Sequence, residues 1–205
     1  MREAENIREV ESLGIDLMGF IFWPKSSRYV SERPAYLPTK CKRVGVFVDE
    51  ETETIRQIAD DCALDYIQLH GHESPEQISR LLSLTPHLSI IKAFNIATAE
   101  DFEATKPYEG IVDYFLFDAK AQLPGGSGQQ FDWSVLKDYD GNTSFLLSGG
   151  IGPNDAERLK AFLASHLSPL TSHKCIGIDL NSRFEIAPGL KDVNKLKTFI
   201  EKVKS

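Results

Sequence analysis

The segment YFLFDAKAQLPGGSGQQFDW, residues 114–133, sets a carboxylate directly behind four apolar residues. An apolar run of this kind reads as a buried strand, so Asp118 stands where such a strand ends. Partial burial there would raise its pKa toward use as a general acid. An aspartate that only caps its own loop fits the same residues. Behind it, Gly125, Gly126 and Gly128 leave backbone N–H groups able to approach a ligand closely.

Four further segments place reactive types after apolar runs. FWPKSSRYV carries Arg28, whose planar guanidinium suits a carboxylate, although a solvated basic turn reads the same way. QLHGHESPE offers Gln68 and His70 as candidates for substrate contact, with Gly71 turning the chain. A single histidine in such a place is more often a hydrogen-bonded structural residue than a base. His70 and His72 make a poor metal site, since no third ligand follows at a typical spacing. SGGIGPND and DLNSRFEIAPGLKD end the last two apolar runs. Gly149 and Gly150 allow close backbone approach, and Asn181, Ser182 and Arg183 supply donors. Two adjacent loops of this chemistry point together to a phosphorylated ligand.

The elements that must position these residues recur along the chain. Apolar runs lie at 17–22, 44–48, 66–69, 89–94, 114–117, 145–148 and 175–180, mostly without alternation, as expected of parallel strands covered on both faces. Helical patterns separate them. Ala4, Ile7, Val10 and Leu13 are capped by Gly14, and Ile55, Ile58, Ala59 and Cys62 share one face. Ser74 reads as an N-cap with Pro75 at the first helical position and Gln77 closing a capping box. Residues 153–163 and 192–203 give two more helices, whereas SERPAYLPTKC and FDWSVLKDY are weaker connections. Seven strands and eight helix-like connections, opening on a helix, predict an α/β chain of one domain over 1–205. The predicted architecture is a (β/α)8 TIM barrel whose first β-strand is missing from the chain as given.

Composition narrows the classes further. The chain has 205 residues, 41% of them hydrophobic, enough for one sizeable core. A net charge of −7 argues against a broad nucleic-acid or anionic-membrane surface, while a small phosphorylated ligand held by backbone N–H groups needs no basic patch. Cys41, Cys62 and Cys175 are too scattered for a disulfide framework, which fits a reducing, cytoplasmic setting. No apolar run approaches the roughly 20 residues of a membrane helix.

In order, GFIF.P.SSRYV, VGVFV, QLHG.ES, IKAF, FDA, GGSG..FDW, SGGI.P.N and APG.KD resemble the phosphoribosylanthranilate isomerase family of tryptophan biosynthesis, from the first helix to the last. The resemblance implies an Amadori rearrangement of N-(5-phosphoribosyl)anthranilate without metal or cofactor, in a monomer or homodimer. It makes Asp118 the acid that opens the ribose ring and Arg28 the residue facing the anthranilate carboxylate. It adds Gln68 and His70 as substrate contacts and gives the phosphate to Gly126, Gly128, Gly149, Gly150, Ser182 and Arg183, the last at a position often held by glycine. It also implies a first strand, roughly Lys-x-Cys-Gly, whose cysteine is the base. None of Cys41, Cys62 and Cys175 matches that position. The expectation is therefore that the chain beginning at Met1 is unstable and inactive. A non-catalytic phosphate-binding remnant, an interaction protein and another sugar-phosphate barrel enzyme are the other readings.

Overall fold

The computed structural model describes residues 1–119, 133–166 and 175–205. Seven parallel strands, β1 (Leu17–Ile21), β2 (Lys42–Phe47), β3 (Tyr66–Leu69), β4 (Ser89–Ile96), β5 (Tyr114–Ala119), β6 (Phe145–Ser148) and β7 (Cys175–Ile178), are hydrogen-bonded in sequence order. All six pairings are parallel. Parallel neighbours require a crossover at each step, and three of the six carry an α-helix, α2 (Thr52–Asp61), α3 (Pro75–Leu84) and α4 (Ala156–His166), while α1 (Ala4–Glu11) precedes β1 and α5 (Val193–Lys204) follows β7. A two-stranded antiparallel ribbon, β8 (Glu185–Ala187) with β9 (Leu190–Lys191), precedes α5. This is the (β/α) barrel architecture expected from the sequence, with β1 and β7 at the ends of the seven-strand order among the described residues.

Strand alternation sorts the core into two layers. Val44, Ile91, Ala93, Leu116 and Leu146 meet on the inner face. Phe20, Phe47, Ile67, Ile90, Phe115, Phe117 and Leu147 point the other way, into a layer shared with Ile7 of α1, Ile55 of α2, Ile78 of α3, Leu159 of α4 and Phe199 of α5. Near-continuous apolar strands were legible because both faces are covered.

Helix ends follow the local chemistry, with instructive departures. Ser74 accepts from the Gln77 backbone N–H at 3.3 Å and Pro75 opens α3. The Gln77 side chain donates to the Glu50 carbonyl, tying α3 to the loop between β2 and α2 where the sequence predicted a reciprocal box. Asp192 caps α5 through the Lys195 N–H at 3.0 Å. α4 begins at Ala156, after a turn in which Asp155 accepts from the Gly152 N–H at 2.7 Å, so Pro153 precedes the helix. Residues 31–41 form no helix, because Pro34 and Pro38 lack the N–H groups a helix interior needs. FDWSVLKDY contributes a short 3₁₀ helix, Trp133–Asp138, and a longer one, Ala99–Tyr108, is held by a Thr98–Asp101 capping box that the sequence reading passed over.

No helix of the described residues is long and apolar enough to cross a membrane.

Candidate active site

The C-terminal ends of the strands gather the predicted residues. Leu116 lies on the inner face and Phe115 and Phe117 on the outer, so alternation carries Asp118 inward at the end of β5. Phe117 fixes that end from outside, with Phe145 at 4.7 Å and Tyr139 at 5.0 Å between ring centroids. On β3, Ile67 and Leu69 face outward, so Gln68 and then His70 face inward. His70 Nε2 comes within 3.9 Å of Asp118 Oδ2. β4 runs between them, with the small Ala93 on its inner face beside His70 and Asn95 in register with Asp118. Gln68 Nε2 lies 3.2 Å from His70 Nδ1, within hydrogen-bonding distance, and so ties the ring to its own strand.

Two neighbours missed by the sequence reading complete this cluster. Ser148 pairs in register with Asp118, and its hydroxyl donates to Asp179 Oδ2 at 3.0 Å. Burial pushes the Asp179 carboxyl up, and the nearby charge of Asp118 adds to the effect, against the Ser148 hydrogen bond and the Lys191 charge. CIGIDL sets Asp179 behind an apolar run, the same signal that exposed Asp118.

Arg28 is held by a protein carboxylate. Its Nε donates to Glu185 Oε1 and Oε2 at 3.0 and 2.9 Å, and its Nη2 to Oε2 at 2.6 Å. Lys191 Nζ lies 3.4 Å from the same carboxylate. Burial would raise the Glu185 pKa, but Arg28, Lys191 and the Gly189 N–H together hold it below the usual carboxylate range. No signal in the sequence pairs residues so far apart.

The two loops expected to bind phosphate do converge. Gly149 and Gly150 adopt φ of 89° and 67°, conformations that favour glycine. Ser182 and Arg183 sit on a one-turn 3₁₀ helix, Ser182–Phe184, anchored by buried Phe184 against Phe199. The Arg183 side chain lies along Gly152, where a Cβ would stand 3.0 Å from its Cδ, so the β6 and β7 loops touch. Gly126 and Gly128 lie outside the described residues.

The cysteines are elsewhere. Cys175 is buried in the outer layer and Cys62 under α2, while Cys41 is half-buried before β2. Burial raises all three thiols, those of Cys41 and Cys175 to about 11. His72 is turned away toward Asp49, at 3.2 Å.

Comparison with known proteins gives the chain a family. The family model for N-(5′-phosphoribosyl)anthranilate (PRA) isomerase matches residues 1–202. The N-(5′-phosphoribosyl)anthranilate isomerase of Phocaeicola vulgatus is 48% identical over 204 residues, covering 100% of this chain and 95% of the relative. That of Parabacteroides distasonis is 49% identical, covering 99% and 90%. Among solved structures, the isomerase of Thermotoga maritima is similar with a TM-score of 0.77 at 31% identity, covering 100% of this chain and 95% of the other. A phosphoribosylanthranilate isomerase in complex with reduced 1-(o-carboxyphenylamino)-1-deoxyribulose 5-phosphate has a TM-score of 0.77 at 29% identity, covering 100% and 98%. The chain belongs to the N-(5′-phosphoribosyl)anthranilate isomerase family.

Proposed function

We infer that the strand ends carry out the isomerisation of tryptophan biosynthesis that family membership assigns, the conversion of N-(5′-phosphoribosyl)anthranilate into 1-(2-carboxyphenylamino)-1-deoxyribulose 5-phosphate. The observation that carries the assignment of the acid is Asp118 at the inner end of β5, facing His70 across 3.9 Å. Asp118 gives its proton to the ribose ring oxygen, the C1–O bond breaks, and the anilino nitrogen lone pair forms the C1=N Schiff base. Loss of the C2 proton then yields an enolamine, and its tautomerisation sets the C2 ketone. C1 is reduced as C2 is oxidised, so the rearrangement balances without an external oxidant or reductant.

His70 and Gln68 contact the opened sugar, and Arg28, with one edge of its guanidinium on Glu185, presents the other edge to the anthranilate carboxylate. Gly149, Gly150, Ser182 and Arg183 receive the 5′-phosphate, as supported by the contact between their loops. The resemblance gives the C2 proton to a cysteine on a strand ahead of the first helix. None of Cys41, Cys62 and Cys175 reaches the strand ends, and none is assigned that step.

The test is turnover of freshly generated N-(5′-phosphoribosyl)anthranilate, followed by its fluorescence, with a version extended by a Lys-x-Cys-Gly first strand and with Asp118→Asn in that version. Conversion by the extended version and its loss in the variant are expected. Equal conversion by both would remove Asp118 from the acid role.

A further inference from the structure

Resting on the reading of His70 as a substrate contact, we propose that Glu73 and Lys92 form a buried clamp that positions His70 at the strand ends. Both side chains are enclosed, with exposures of 1% and 3%, and Lys92 Nζ lies 3.3 Å from Glu73 Oε2. Alternation puts Lys92 on the outer face of β4, with Ile90 and Phe94, so it never touches the inner space where Asp118 stands. Burial lowers the Lys92 pKa and the Glu73 charge opposes that shift. A charged pair in such a place is costly unless its remaining donors and acceptors are satisfied.

They are satisfied by the backbone on both sides of His70. Lys92 Nζ donates to the carbonyls of Leu69 and Gly71, at 3.4 and 2.8 Å, and to its neighbour Ala93 at 3.2 Å. Glu73 accepts from the Gly71 N–H at 3.1 and 3.0 Å and from the Asp49 N–H at 2.9 Å. The residues before and after His70 are thus gripped from behind by the two charges. His70 itself is tied to β2 through its N–H and the Phe47 carbonyl at 2.9 Å. The grip needs Gly71, where a Cβ would stand 2.6 Å from the Asp49 backbone nitrogen. Tyr108 closes the outside, its hydroxyl donating to the Glu73 carbonyl at 2.9 Å and its ring centroid 5.8 Å from Lys92 Nζ. With the peptide units on either side fixed, His70 has little freedom except its own side-chain torsions, and Gln68 restrains those.

The experiment is a cycle between the clamp and His70. Lys92→Met with Glu73→Gln removes both charges at similar volume, which keeps the fold accessible, whereas removing one partner would strand a buried charge; Tyr108→Phe, which loosens Glu73 and leaves both charges in place, is the milder companion should the pair unfold. The double variant is expected to unfold cooperatively, with turnover reduced about tenfold or more and KM within about threefold, the sign of lost positioning. In a His70→Asn background the same changes should cost nothing further. NMR gives a readout independent of turnover: the His70 ring signal should respond to Asp118→Asn in the native protein and lose that response in the clamp variant. A folded clamp variant that keeps the response, or losses that multiply with His70→Asn, overturns the clamp. Unchanged turnover in His70→Asn alone overturns the reading of His70 instead.

Discussion

Arg28 reaches across the strand ends to Glu185 and grips it through Nε and Nη2, with the shortest contact at 2.6 Å. The pair joins the loop after β1 to the ribbon before α5, the first and last segments to meet at this end of the sheet. A guanidinium already neutralised on one edge is an oriented donor on the other, with less rotamer freedom left to lose when a carboxylate arrives.

Arg28→Ala is therefore expected to do two things. Loss of the fork weakens an anthranilate-bearing product analogue far more than ribose 5-phosphate, by about tenfold or more. It also leaves Glu185, 5% exposed, with Lys191 as its remaining cation, at a cost of roughly 1–3 kcal/mol of stability once that compensation is allowed for. Titration calorimetry with both ligands separates the effects; equal losses would confine Arg28 to the structural pairing.

Asp118 and Asp179 should separate by role. Asp118→Asn is expected to lower turnover by about 10² or more with KM within a few-fold. Asp179 has its pKa raised by burial, so the folded state holds that proton more tightly than the unfolded chain. The resulting stability is present below the unfolded value and lost as pH rises through the folded one. Asp179→Asn should consequently raise the melting temperature at pH 7 and leave it nearly unchanged in acid. A lower melting temperature at pH 7 would mean that the ionised Asp179 is what the site holds.

What could be read from the sequence was whatever local pattern encodes. Asp118 and His70 follow apolar runs, and parallel pairing in register brings such run ends together, so their meeting was foreseeable. Lys92 inside SIIKAF was a legible anomaly, because a lysine in a two-sided apolar strand must find a buried partner. The partner, Glu73, lies in the loop between β3 and α3, where no local pattern marks it as buried. Glu185 and Arg28 meet only through the closing of the chain's two ends, and no periodicity reports that. The 31–41 connection lacked a helix for the reason its prolines announced.

Glu11 governs how that irregular connection is held. Its buried carboxylate accepts from the Tyr36 hydroxyl and the N–H groups of Thr39 and Lys40. Burial alone would raise its pKa, yet these hydrogen bonds hold it below the ordinary value. Its stabilisation is complete above the unfolded pKa of about 4.3 and is lost as pH falls through the lower folded value. Glu11→Gln should cost about 1.5–3 kcal/mol at pH 7 by urea denaturation, with the gap shrinking toward pH 3. A gap independent of pH would trace the loss to packing.

The phosphate reading is tested most sharply at Arg183 and Gly150, because their expected failures differ in kind. Arg183 is exposed and runs along Gly152, so Arg183→Ala removes a cation without opening the core. Stability should stay within about 0.5 kcal/mol, as for surface changes generally. Affinity for ribose 5-phosphate should fall about tenfold, and its dependence on salt should flatten, since screening acts on the charge that was removed. Gly150 has a φ of 67° with open space around a Cβ, so Gly150→Ala is strained by backbone conformation alone, at roughly 1–2 kcal/mol. If its N–H faces the phosphate, relaxing that strain turns the donor away, and affinity falls by a similar factor with the salt dependence intact. Isothermal titration at two ionic strengths reads both variants. Loss of the salt dependence in both would make the loop a passive support for Arg183, and loss in neither would move the phosphate away from these two loops.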